Sequence, residues 1–141
     1  MNREEALIQL RFHSGRHPDI NHPKWRHGLI GSLNYFDGQF NEENFVEVME
    51  CLKVLSSEFA AEQIDRDLMA DLYGILYQIN LWIVPGGKLE HIDPNIKNKL
   101  VQWLKLYADV IELLLEYSEQ SCQEAFYEYE CYRKETLNQE V

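Results

Sequence analysis

Four histidines, His13, His17, His22 and His27, lie close together near the start of the chain. Imidazole is a common zinc ligand, and His13 and His17 have the i, i+4 spacing that puts two ligands on one face of a helix. The context opposes that chemistry. Gly15 lies between the two, Pro18 follows directly, Asp19 is the nearby carboxylate, and no Cys or Glu stands at a ligand-like spacing. The segment therefore reads as a loop whose histidines hydrogen-bond to backbone or solvent. A metal-dependent hydrolase built on these four rings is the rival reading. No metal or other cofactor site is assigned.

Other constellations point to packing rather than catalysis. Gly28-Leu29-Ile30-Gly31-Ser32 has two residues between its glycines and no Lys after the second, so it lacks the spacing of a Walker phosphate loop. Its glycines allow a tight turn, with Leu29, Ile30 and Leu33 packed inward. Arg11, Arg16, Lys24 and Arg26 beside Trp25 form a small basic and aromatic group, for which pairing with acidic helices is a better account than RNA binding. Ser32, Ser56 and Ser57 have no nucleophile elbow, and Cys51, Cys122 and Cys131 have no neighbouring His. Asp67 and Asp71 read as a solvated helix face. No catalytic residue is assigned, and the chain is expected not to be an enzyme.

The elements that carry these residues are helical. Phe45, Val48, Leu52, Leu55 and Phe59 recur three and four apart from Glu42 to about Ala60, with Asn41 as the cap and acidic residues between them. Asp65 opens a second strong helix striped by Leu68, Leu72, Ile75, Ile79 and Trp82. Met69, Tyr73, Leu76 and Leu81 widen that stripe, which predicts a central place in a bundle. Pro85-Gly86-Gly87 ends it, and Asp93-Pro94 starts a third, through Ile96, Leu100, Trp103, Tyr107, Ile111 and Leu114. A short helix over Asn2 to Phe12 is expected to pack as a lid. A weaker one is expected from about 118 to 135, with Tyr129 and Tyr132 on one side. The pattern predicts an all-α, single-domain bundle of four to five helices, with a long irregular loop over about 13–40 and a helical core over about 41–117. So long a loop is unusual, so it is either functional or hides a short helix near Lys24 to Leu33.

Composition narrows the partners. The chain has 141 residues, with 24 acidic against 13 basic, for a net charge of -11. Residues 1–40 hold five basic and four acidic residues, so the acidity belongs to the later helices. That sign excludes nucleic acid and an anionic membrane surface as main partners and favours a basic one. Three cysteines without CxxC spacing read as reduced thiols, the N-terminus is too polar for a signal peptide, and no apolar run reaches a membrane span. A cytoplasmic protein is expected.

From Trp25 to Leu55, and on through Ile64-Asp65-Arg66 to Trp82, the chain resembles small helical bacterial proteins similar to predicted immunity proteins of polymorphic toxin systems. Gly28-Leu-Ile-Gly31-Ser32-Leu33, then Tyr35 and Gly38, then Asn41-Glu42-Glu43-Asn44-Phe45 and Val48-Met49-Glu50 carry the resemblance. It implies a non-enzymatic cytoplasmic protein that protects its producer by binding a cognate toxin domain. An acidic surface suits a basic toxin, since opposite potentials speed capture. Glu43, Glu47 and Glu50 follow by four and three on one side of the helix from Glu42, with Lys53 continuing the row, and are assigned to the partner-binding surface. An oligomeric scaffold or regulator using the Tyr-rich tail is a further alternative, and the oligomeric state is left open.

Overall fold

The structure, a computed structural model, describes residues 1–139. Its regular elements there are all helical: α1 (Arg3–His13), α2 (Pro23–His27), α3 (Leu29–Asn34), α4 (Glu42–Leu55), a 3-10 turn (Ser56–Ala60), α5 (Arg66–Ile83), α6 (Pro94–Glu116), α7 (Glu119–Glu124) and α8 (Tyr127–Gln139). The chain is thus more finely divided than a bundle of four to five helices. Two short helices, α2 and α3, occupy the segment expected to be a long irregular loop, and the C-terminal helix is broken at Ala125-Phe126.

The long helices begin where side chains satisfy free amides of the first turn. Asn41 Oδ1 accepts from the Glu43 amide at 3.1 Å, Asp65 Oδ1 from Leu68 at 3.0 Å, and Asp93 Oδ1 from Asn95 at 2.8 Å. Pro94, which lacks an amide hydrogen, takes the first position of α6. Each helix then buries one stripe. Phe45, Val48, Leu52 and Leu55 of α4 meet Leu68, Leu72, Ile75 and Ile79 of α5 and Leu100, Trp103, Tyr107 and Leu114 of α6 in one continuous core. Trp103 is its centre. The indole stacks between Phe40 at 4.5 Å and Phe45 at 4.6 Å, and its Nε1 donates to Tyr132 Oη at 2.8 Å. Tyr107 Oη donates to the Leu72 carbonyl at 2.7 Å, which ties α6 to α5.

Two expectations fail on packing grounds. α1 is not a lid: Ala6 and Leu10 are fully buried against α4 and α5, so the helix is a wall of the core. α5 is not central. Its inner stripe is buried and Met69 and Leu76 pack partly against the core, but Tyr73 is 65% exposed and Tyr77 and Leu81 are each 48% exposed, so the far side of the widened stripe faces outward.

α3 is short but anchored. Leu29, Ile30 and Leu33 are buried, and Gly31 packs directly on the backbone of α2, where an added Cβ would lie 2.1 Å from the Trp25 carbonyl oxygen. The glycine is therefore required by close approach. α8 closes the bundle through Tyr129 and Tyr132, both buried and edge-on to Phe45 at 6.0 and 6.2 Å. The Tyr-rich tail thus spends these two rings on the core rather than presenting them to another chain. Among the described residues, no helix is long and apolar enough to cross a membrane.

Candidate functional site

The first forty residues build a polar knot between α1, α2, α4 and α5. His13, fully buried at the end of α1, accepts from the Leu29 amide through Nδ1 at 2.9 Å. In a neutral ring that acceptor leaves the proton on Nε2, which donates to Glu47 Oε1 at 3.0 Å. Lys24 Nζ reaches the same carboxylate oxygen and also Gln9. The His13 hydrogen bond, reinforced by Lys24, holds the Glu47 carboxyl down at about 2, well below its ordinary range, against the opposing pull of burial. Beside it, Asp71 is 3% exposed and accepts from Ser14 Oγ at 3.0 Å and Arg16 Nη1 at 2.7 Å. Arg11 pairs with Asp67 at 3.0 Å.

This knot accounts for most of the residues singled out in the N-terminal segment. The four histidines do not converge. His13 serves Leu29 and Glu47, while His17 and His22 both stack on the Phe12 ring, at 3.8 and 4.4 Å. His17 Nδ1 accepts from the Asp19 backbone amide and His22 Nδ1 from the Lys24 backbone amide, each at 3.0 Å, and His27 is exposed. Gly15, at φ +76°, turns the chain after α1, so His13 and His17 do not share a helical face. Among the described residues, no group of three or more His, Cys, Asp or Glu side chains is placed to hold a metal. Arg11, Arg16 and Lys24 pair with carboxylates of α4 and α5, as charge balance predicts, and Arg26 lies 4.8 Å over the Tyr35 ring. Asp71 departs from expectation: it is a buried ion-pair partner, not part of a solvated face.

The row Glu43, Glu47 and Glu50 is divided in the same way. Glu43 is exposed. Glu50 is half-buried, 3.5 Å from Lys53, whose ammonium also pairs with Glu130 of α8 and lies 5.4 Å over the Tyr129 ring. Glu47 is committed to His13 and Lys24. The unpaired outward row that the spacing predicts is therefore only partly present, because α1 and α2 pack across its middle.

A second acidic feature, which the sequence reading missed, lies between α6 and the α7–α8 pair. It is a groove of about 500 Å³. Leu106, Val110, Leu113, Ala125 and Tyr129 form an apolar floor, and Asp109, Glu112, Glu124 and Glu128 line it with carboxylates. Asp109 pairs with Lys105 at 2.9 Å and raises that lysine's pKa, whereas Glu112, Glu124 and Glu128 form no ion pair among the described residues. The αL turn at Tyr117, φ 37°, and the serine capping box at Ser118 and Ser121 fold α7 back toward α6 and so shape the groove. Its signal in the sequence was faint: two carboxylate pairs on helices whose relative placement depends on one turn. No family model matches the chain, and no curated protein or solved structure is significantly similar to it.

Proposed function

We propose that this is an immunity-type protein, which neutralises a basic toxin domain by covering it with an acidic helical surface in the cytoplasm. The observation that carries this reading is the groove between α6 and the α7–α8 pair, where an apolar floor meets three carboxylates, Glu112, Glu124 and Glu128, without ion-pair partners among the described residues. Apolar contact supplies adhesion and the carboxylates supply choice of partner: a helix or loop with a Lys or Arg beside an apolar anchor satisfies both. Exposed Glu43 and half-buried Glu50 extend the acidic surface on α4. The overall net charge of -11 speeds encounter with a cationic domain, as interception of a lethal enzyme requires. The reading needs no chemistry from the chain itself, so the polar knot acts only to hold α1, α2 and α4 together.

The test is protection. A basic toxin domain encoded beside this protein's gene is expressed with and without it, and growth and complex formation are followed. Rescue of growth together with a stable complex is expected. Survival unchanged by the protein, or a complex that forms equally well with the groove filled by Ala125→Trp in a folded variant, would remove the reading.

A further inference from the structure

The groove between α6 and the α7–α8 pair carries an aromatic ring that net charge does not explain. Tyr127, which opens α8, lines it and is 69% exposed, the most exposed tyrosine among the described residues. Its position forgoes the burial that Tyr129 and Tyr132 obtain on the same helix. Two carboxylates flank it in the chain: Glu124 ends α7, Glu128 follows Tyr127 directly, and both line the groove. Lys105, whose pKa Glu128 helps to raise, is engaged with Asp109 at 2.9 Å.

Ring, carboxylates and apolar floor together discriminate between cations. An ammonium is a compact, strongly hydrated point charge that gains little from a ring it must shed water to reach. A guanidinium is planar, more weakly hydrated and rich in donors, so it can lie on an aromatic face while its edge donates to carboxylates. Its methylene stem suits the floor of Leu106, Val110 and Leu113. The chain makes such a pair internally, with the Arg26 guanidinium 4.8 Å over the Tyr35 ring. Tyr129, the other tyrosine of the groove, already holds Lys53 over its ring at 5.4 Å, whereas Tyr127 holds no cation among the described residues. On the reading of this groove as the toxin-docking surface, we infer that it selects arginine over lysine: an arginine of the partner lays its stem on the floor, stacks its guanidinium on Tyr127 and donates to Glu124 and Glu128.

The test uses the full chain, isotopically labelled, titrated at low salt with acetyl-Leu-Arg-Leu-amide and with its lysine and citrulline counterparts, while backbone amide resonances are followed. The arginine peptide is expected to shift the amides of Leu113, Ala125 and Tyr127 and to bind about two- to fivefold more tightly than the lysine peptide. Citrulline, of the same shape without the charge, should give no saturable shift. Tyr127→Leu should bring the two charged peptides to equal affinity, and Tyr73→Leu, which removes an equally exposed ring from α5, should leave the preference intact. The comparison of peptides on the unaltered protein does not depend on any variant folding. Equal affinity for arginine and lysine, a preference that survives Tyr127→Leu, citrulline binding as well as arginine, shifts confined to residues outside the groove, or no saturable shift with the arginine peptide would each overturn the inference. No toxin enters this titration, so its failure is distinct from failure of the protection test.

Discussion

At the scale of single residues, Glu47 shows why a helical wheel does not settle the role of a charge. Its place between Glu43 and Glu50 was legible, but its partners, His13 and Lys24, lie 34 and 23 residues away in sequence. Nothing in the local pattern announces that α1 and α2 cross the outer face of α4. The pairing has a consequence for acid stability. Glu47 has a folded pKa of about 2, depressed from 4.5 chiefly by the His13 hydrogen bond and also by Lys24. A depressed carboxyl contributes stability that is fully present above its unfolded pKa and is lost as the pH falls through the folded one. Denaturant melts between about pH 5 and about pH 2 should therefore show the unaltered protein losing more stability than Glu47→Gln. Parallel pH profiles would show that the pair is not formed. The same geometry predicts that Glu47→Lys lowers the melting temperature, because it sets a second cation against Lys24 beside a buried imidazole.

At the scale of elements, caps and stripes were the most legible features. Asn41, Asp65 and Asp93 begin the helices that their side chains predict, and the stripes of α4 and α5 are buried apart from the half-covered Trp82. Leu72 and Ile75 lie fully inside, so Leu72→Ala should cost about 2–5 kcal/mol in denaturant melts, the range for a leucine removed from a packed core. The short elements were harder to see. α2 and α3 have five and six residues, too few to show a helical period, and a hidden helix near Lys24 to Leu33 was inferable only from the improbable length of the loop. Gly31 is what lets the two fit. Alanine there would place its Cβ 2.1 Å from the Trp25 carbonyl and 2.6 Å from that of Arg26, both backbone atoms that cannot rotate away. Gly31→Ala should destabilise the fold by about 1–3 kcal/mol, as overpacking does, whereas Gly74→Ala, facing open space in mid-helix, should be neutral or stabilising. Equal melting temperatures for the two variants would contradict this packing.

At the scale of the whole molecule, acidity was plain from composition, but where it concentrates depends on tertiary placement. Glu124 and Glu128 meet Asp109 and Glu112 only because the chain reverses after α6. Carboxylates gathered round an apolar floor repel one another, and a surface selected for stability alone would intersperse lysines there. That arrangement predicts a trade-off between stability and binding. Glu124→Lys/Glu128→Lys should leave the melting temperature unchanged or raise it slightly, because it relieves like-charge repulsion and sets a cation near Glu112. The same change should slow association with a basic toxin domain and flatten its dependence on salt, since steering charges are lost. Glu43→Lys/Glu50→Lys on α4 provides the comparison. If the α4 pair slows association and the groove pair does not, the contact surface lies on α4. If neither alters the rate at low salt, the acidic helices serve solubility alone and binding must be sought elsewhere on the molecule.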